Sequence, residues 1–193
     1  MKVIAGPSLA IAVSSAGGLG FIGPGASPSD LESSLSLTSQ LISSSPSLSR
    51  FAQETGTLPI GVGFQTWAGD LRVATQVLGK FKPCAVWLFA PRHGQKELDE
   101  WSRKIREVSR GTKIWVQVPS VADAVAAAKS EERADVLVVQ GADAGGRKSY
   151  SNCIPFFLYV DDSREPDGLL RIASYSHVLL PFSYARAESL RGV

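Results

Sequence analysis

Short apolar runs recur along the first 140 residues, and longer mixed stretches separate them. The runs are continuously apolar rather than alternating, which is typical of strands that are covered on both faces in a parallel sheet. They cover residues 2–5, 19–23, 58–64, 84–90, 113–118 and 134–140. We therefore predict six strands in a parallel sheet.

The stretches between these runs place apolar residues at helical spacing. Three such groups each predict the apolar face of one helix: Leu71, Ala74 and Leu78; Leu98, Trp101, Ile105 and Val108; and Val121, Ala124, Val125 and Ala128. Ser29 with Glu32 has the pattern of a capping box, and Ser120 with Asp123 is a near version of it. Helices are therefore expected to connect the strands.

The Ser-rich segment 27–49 is open to two interpretations, a disordered linker or a surface helix. Leu31, Leu35 and Ile42 recur in it at helical spacing. This periodicity favours the helix.

Strand–helix alternation predicts a parallel α/β sheet, either a barrel or an open doubly wound sheet. A complete (β/α)₈ barrel takes roughly 250 residues. Six units in about 147 residues have the length per unit that is typical of a barrel. We predict a partial TIM barrel of about six βα units over residues 1–147. Residues 148–193 are expected to form an atypical tail, because they hold all four tyrosines and none of the four tryptophans.

Composition excludes several classes of function. A net charge of +2 with scattered basic residues favours no nucleic-acid partner. Two cysteines and two histidines fit no metal site, and no run reaches the roughly 18 apolar residues of a membrane span. The N-terminus imitates a secretory signal, but Gly6 and Pro7 interrupt its apolar stretch. A cytoplasmic location is expected.

Two glycine motifs imitate nucleotide-binding loops. The G-x-G-x-x-G match at 18–23 contains its strand and is followed by Pro24, whereas a dinucleotide fingerprint follows a strand and opens a helix. The match from Gly141 to Gly146 has Arg147 where a P-loop has its lysine. Neither motif is expected to bind a nucleotide phosphate.

The loop after the sixth predicted strand has two remaining interpretations. Ligands of parallel α/β folds bind at the carboxyl ends of the strands, and the Gln140 amide can serve a heteroaromatic edge as donor and acceptor. The alternative is a capping turn whose amide is already paired. The pattern alone does not separate the two.

Several segments, taken together and in order, resemble the nitronate monooxygenase family, formerly called 2-nitropropane dioxygenases, and its fungal members in particular. The resemblance spans residues 3–146 and rests on "AGPSLAIAVSSAGGLGFIGPG", "LPIGVGF", "AVWLFAP" and "KIWVQVPSVADAVAAAKSEERADVLVVQGADAGG". It implies an FMN-dependent (β/α)₈ barrel that oxidises alkyl nitronates with O₂.

The resemblance also implies which residues contact the flavin. Ile4, Ala5 and Gly6 match a first-strand segment beside the ring, and Gly63 stands where many members have an asparagine. Gln140 and Gly145 match the glutamine and glycine of a Q-G-x-x-A-G-G-H motif, and Gly146 is the next glycine of that motif.

The catalytic histidine of that motif falls at Arg147 in this chain. A neutral imidazole can take a proton from a nitroalkane carbon, whereas an arginine stays protonated and cannot. His93 is a second-line candidate for the base.

The phosphate of the flavin is bound after strands seven and eight in such barrels, and the sequence has no recognisable counterpart of either. Weak or absent FMN binding is therefore expected. The alternatives to an active flavoenzyme are a non-catalytic truncated fragment, an interaction module, and a flavin barrel with different chemistry.

Overall fold

A computed structural model describes residues 4–23, 28–140 and 156–159 of the chain. Its helices are α1 Pro7–Ser15, α2 Pro28–Ser43, α3 Pro46–Thr55, α4 Leu71–Phe81, α5 Gln95–Val108 and α6 Val121–Lys129. Its strands are β1 Phe21–Ile22, β2 Leu58–Gln65, β3 Pro83–Phe89, β4 Lys113–Val118, β5 Val136–Val139 and β6 Phe156–Tyr159.

The strands form one sheet in the order β1-β2-β3-β4-β5-β6, which is also their order along the chain. Neighbours from β1 to β5 pair in parallel. A doubly wound sheet reverses its strand order at a switch point, whereas a barrel adds each strand beside the previous one. The order observed here is that of a barrel, so the predicted partial TIM barrel is confirmed.

One face of the sheet packs against the helices and forms the hydrophobic core. Leu35, Leu78 and Ile105 contribute from the helices and are fully buried. Alternate strand residues meet them and are equally inaccessible: Ile60, Val62, Val86, Leu88, Ile114, Val116 and Leu137. Because side chains alternate across a strand, the residues between these point to the opposite face, which we call the inner face.

The strand expected at residues 2–5 is not formed by its described residues. The Gly6 N–H donates to the Ile4 carbonyl at 2.9 Å, which closes a tight turn around Ala5. Helix α1 begins at Pro7, a residue suited to the first turn. The described part of this segment therefore turns into a helix directly, and the Ala5 carbonyl accepts from the N–H of Gly23, the residue after β1, at 2.9 Å.

The Ser-rich segment is helical, as its periodicity predicts. It forms α2 and α3, which are separated at Ser44 and Ser45 just before Pro46. Leu31 and Ile42 are buried beside Leu35. However, α2 begins at Pro28, so Ser29 lies inside the first turn and the predicted capping box is wrong about its position.

Of the tail, the structure describes only β6, which pairs with β5 in antiparallel register from Val136 opposite Tyr159 to Val139 opposite Phe156. The outer edge of β5 is thereby paired. The division into a barrel unit at 1–147 and a tail at 148–193 stays a prediction. No helix within the described ranges is long and apolar enough to cross a membrane.

Candidate functional site

The inner face carries large aromatic side chains in its middle. Register places Gly63, Trp87, Trp115 and Val136 in one row across β2 to β5. The Phe21 ring stands edge-on to both indoles, with ring centroids 5.4 Å from Trp87 and 5.3 Å from Trp115. This packed layer closes the lower part of the inner face and leaves the carboxyl ends of the strands above it.

Gly63 lies on the inner face of β2, in its carboxyl-terminal half. A Cβ atom built there would have the Phe89 ring as its nearest neighbour, at 3.6 Å, followed by the Ile22 and Trp87 carbonyl oxygens at 3.9 Å. These are ordinary van der Waals distances, so a Cβ atom fits at this position. The glycine is therefore not required by packing against described residues.

Gln140 directly follows β5, and its N–H donates to the Val118 carbonyl at 3.1 Å, which continues the ladder. Strand alternation places it on the inner face with Val136 and Val138. Its side chain is half-buried, as are those of Gln65 and Gln117, which lie near the carboxyl ends of β2 and β4. Three amides thus lie at the same edge of the sheet, and the sequence analysis identified only one of them.

The N-terminal candidates lie beside β1 at this edge. The Ala5 carbonyl is bonded to Gly23, and Gly6 has extended backbone angles before α1. The Ile4 side chain, by contrast, is 79% exposed. The carbonyls of Ile4, Ala5 and Gly6 are already paired, with the N–H groups of Gly6, Gly23 and Ala10 respectively. Ile4 contributes no packed wall among the described residues.

Three of the predicted site residues lie outside the described residues. These are Gly145, Gly146 and Arg147, and their assigned roles stay predictions.

Two loops at the carboxyl edge are joined by an arginine that stacks on a tryptophan. Trp67 follows β2 and Arg92 follows β3, and the Arg92 guanidinium carbon lies 5.3 Å from the centroid of the Trp67 ring. A cation over an indole face at this distance is attracted by the ring quadrupole. Both side chains are exposed, and the sequence analysis did not single out either of them.

Glu97, in the first turn of α5, holds the second of these loops. One carboxylate oxygen, Oε2, accepts from the backbone N–H groups of Arg92 and His93, both at 2.9 Å. Ala90 begins the loop with a φ of 54°, a left-handed value that is uncommon for a residue with a Cβ. His93 is thereby fixed by its backbone, while its exposed side chain points away from the core.

Partial burial raises the pKa of Glu97, but the opposing effects are larger in sum. They come first from the Thr66 side chain, then from the two backbone N–H groups and from the charge of His93. The pKa of Glu97 therefore lies below its ordinary value. The carboxylate stays ionised, and its clamp stays closed, throughout the neutral range.

Replacing Glu97 with glutamine is expected to loosen this loop. A neutral amide gives weaker acceptance of the two N–H groups, which we expect to cost about 1 to 2 kcal/mol of local stability. Hydrogen-exchange protection factors of the Arg92 and His93 amides measure the effect. Glu100→Gln, on an exposed position of the same helix, is the matched control.

The pH dependence follows from the lowered pKa of Glu97. Its stabilisation is present above the ordinary pKa of a glutamate, about 4.3, and is lost as the pH falls through the lower folded value. Wild type and Glu97→Gln should therefore converge on acidification. Equal protection in the two proteins at pH 7 would contradict the clamp.

Neither Cys84 nor a surface depression beside α2 belongs to this edge. Burial raises the pKa of the Cys84 thiol to about 12, and its Sγ–H donates to the Ile60 carbonyl at 3.4 Å, so it is not a nucleophile at neutral pH. The depression lies between α2 and α4 on the outside of the helices and is lined by Glu32, Ser33, Ser36, Leu37, Gln40 and Lys80. Lys80 pairs with Glu32 across it at 2.7 Å.

A singly wound parallel sheet, with helices on one face and polar groups at the carboxyl edge of the other, defines a protein of the TIM-barrel class. FabK from Thermotoga maritima has a similar structure, with a TM-score of 0.51 and 29% identity over 70% of this chain and 36% of the FabK chain. No family model matches the sequence.

Two curated fungal proteins narrow the class to a family. Nitronate monooxygenase npaC of Metarhizium robertsii is 55% identical over 146 residues, which cover 76% of this chain. The nitronate monooxygenase of Neurospora crassa is 35% identical over 162 residues and 77% of this chain. Over the matched residues, the chain belongs to the nitronate monooxygenase family. It spans only 40% and 42% of the length of these two relatives.

Proposed function

We propose that this chain is the flavin-facing part of an FMN-dependent oxidoreductase that oxidises alkyl nitronates with O₂. The observation that carries the proposal is the position of Gly63 and Gln140. Both lie on the inner face near the carboxyl ends of their strands, which is where barrels of this kind bind their ligands. The matched relatives are themselves named nitronate monooxygenases.

The described residues fit the ring end of a flavin. Gly63 has no side chain in the row that it shares with Trp87 and Trp115, and the Phe89 ring borders this position. The half-buried amides of Gln65, Gln117 and Gln140 can donate to and accept from the polar edge of a heteroaromatic ring. When bound, FMN would supply the electron-accepting chemistry that an amino-acid side chain lacks.

The chain's own residues would orient the ring and the substrate. The Phe21, Trp87 and Trp115 layer forms the floor of the site and excludes water from below it. Arg147 would attract the negative charge of a nitronate but would not remove a proton from a neutral nitroalkane, because a guanidinium stays protonated. The proposed substrate is therefore the preformed anion.

One observation favours a second candidate, a non-catalytic fragment or interaction module derived from such a barrel. In a barrel, the strand after β5 is parallel to it, whereas β6 pairs with β5 in antiparallel register. This antiparallel pairing differs from the parallel strand order that places the later ligand-binding loops of a barrel at the carboxyl edge. A chain of this kind would retain the sheet and lack turnover.

Flavin binding separates the two candidates, and Gly63 gives matched variants for testing it. We expect purified protein to take up added FMN weakly, with flavin absorbance that is released on denaturation. Gly63→Asn should strengthen binding several-fold, since the asparagine common in the family would add a polar contact where the backbone has room. Gly63→Leu should weaken it about tenfold by filling the same space with an apolar group.

Thermal unfolding of the Gly63 variants controls for a change in stability rather than in flavin binding. If wild type and Gly63→Asn are both colourless and take up no added FMN, the flavoenzyme proposal is wrong. The non-catalytic fragment or interaction module is then the better interpretation.

A further inference from the structure

The Arg92 guanidinium lies at the carboxyl edge of the sheet with hydrogen-bond donors that the described fold does not use. Its guanidinium makes no hydrogen bond or ion pair with any residue in the described ranges; its central carbon lies 5.3 Å from the centroid of the Trp67 ring. A cation–π contact uses the charge of the guanidinium and leaves its five N–H donors unpaired. These donors are free to bind a ligand.

The backbone around Arg92 is fixed rather than loose. Glu97 holds the N–H groups of Arg92 and His93 at 2.9 Å, and the Thr66 N–H donates to the Phe89 carbonyl at 3.0 Å where the loops leave the sheet. The two loops therefore hold the Trp67 and Arg92 pair together from both strands. A preorganised donor set loses less conformational entropy when it binds a ligand.

The pair lies at the same edge as the inner-face amides. β3 and β5 are separated by one strand, and neighbouring strands lie about 4.8 Å apart, so the base of the Arg92 loop is roughly 10 Å from that of Gln140. The Arg92 side chain itself lies over Trp67 in the loop after β2, at the same carboxyl edge. A small anion that approaches the inner face from solvent would therefore pass within reach of Arg92.

We propose that Arg92, stacked on Trp67, is an anion-recognition subsite for the nitronate substrate. The two oxygens of a nitronate are coplanar and share one negative charge, as in a carboxylate, and that geometry matches the paired N–H donors of a guanidinium. The Trp67 ring would orient the guanidinium and offer apolar surface to the alkyl group. The subsite rests on the proposed function for its substrate class, and binding alone can test it.

The test measures binding of propane-2-nitronate to the full chain by calorimetry, without O₂ so that no turnover occurs. We expect Arg92→Gln to weaken binding about tenfold and Trp67→Leu to weaken it less. The matched control is Arg110→Gln, which removes the same charge from an exposed position before β4, at the opposite edge of the sheet. It should change affinity by less than about twofold.

The neutral parent compound, 2-nitropropane, distinguishes anion recognition from general packing. Its binding should be the same in wild type and Arg92→Gln. The subsite is overturned if Arg92→Gln binds the nitronate as wild type does, if both arginine variants weaken it equally, or if wild type binds no nitronate. Circular dichroism and thermal unfolding show whether each variant is folded.

Flavin absorbance, recorded on the same samples, separates this proposal from the proposed function. If wild type and Arg92→Gln both bind FMN and oxidise the nitronate equally well, the proposed function stands and the Arg92 subsite is wrong. If wild type binds no FMN but binds the nitronate more tightly than Arg92→Gln does, the subsite stands and the proposed function is wrong.

Discussion

Gly20→Ala is expected to destabilise the chain by at least about 3 kcal/mol, at the upper end of what overpacking costs. A Cβ atom at position 20 would lie 2.0 Å from the Ala10 carbonyl oxygen and 2.6 Å from the Ala10 Cα. Both atoms belong to the backbone of α1, so no side-chain rotation relieves the clash. Either the helix or the strand must move.

Neither element is free to move. The Gly20 N–H donates to the Ser14 hydroxyl at 3.1 Å, and its carbonyl accepts from the Gly61 N–H at 2.8 Å. A shift of Gly20 would break one bond to α1 and one to β2. Displacement would also move Phe21 away from the indoles of Trp87 and Trp115.

Thermal and urea unfolding measure the effect, and Gly63→Ala is the control. That variant adds the same methyl group to another buried glycine, where the nearest atom is 3.6 Å away. It should stay within about 0.5 kcal/mol of wild type, as substitutions without a named defect do. For Gly20→Ala we expect a midpoint at least about 6 °C lower, since 1 kcal/mol shifts a domain of this size by about 2 to 4 °C. Equal midpoints would contradict the close approach of α1.

The glycines of the 18–23 motif show what spacing alone can and cannot predict. Sequence context was enough to reject a dinucleotide loop, because the strand lies inside the motif and Pro24 follows Gly23. The actual reason for Gly20, contact with the backbone of α1, depends on how a helix ten residues earlier packs against the strand. No local pattern contains that information.

The middle strands were predictable because their burial on both faces leaves a continuous apolar run. Strand β4 has the predicted bounds, β2 is longer by one residue at its end, and β3 is shifted by one residue at both ends. The run at 2–5 has the same composition, but its described residues turn into α1. A Gly-Pro pair that starts a helix here overrides the β propensity of the residues before it.

The helix caps illustrate the same limit. Ser120 caps α6 as predicted, since its hydroxyl accepts from the Asp123 N–H at 3.2 Å. Asp70, which no capping box marks, caps α4 by accepting from the Val73 N–H at 3.1 Å. A capping pattern identifies residues that are able to cap, and the path of the preceding loop decides which of them does.

The sequence predicted at which edge of the sheet the site lies, but it identified only some of the side chains at that edge. Gln140 was identifiable because it directly follows an apolar strand. Gln65 and Gln117 belong to the same inner face, and period-two counting from Gly63 would have indicated Gln65. The contact between Trp67 and Arg92 joins two loops that are 25 positions apart in sequence, so spacing gives no signal for it.

A flavin-loaded sample of the chain is expected to oxidise propane-2-nitronate at least about 100-fold faster than 2-nitropropane, because proton abstraction by a positioned base contributes roughly that factor or more. The nitroalkane must lose a carbon-bound proton before it can react as an anion. By the family resemblance, Arg147 would occupy the position of the base, and an arginine stays protonated. The preformed nitronate needs no base, so its oxidation should not depend on this residue.

Oxygen uptake at a fixed flavin content measures both rates, and two variants locate the missing base. Arg147→His, loaded with FMN, should increase nitroalkane oxidation and change nitronate oxidation far less. His93→Ala should change neither rate, since the His93 side chain is exposed on a loop that Glu97 holds through the backbone. If wild type uses the nitroalkane as readily as the nitronate, another residue acts as the base. Loss of that activity in His93→Ala would then assign the role to His93.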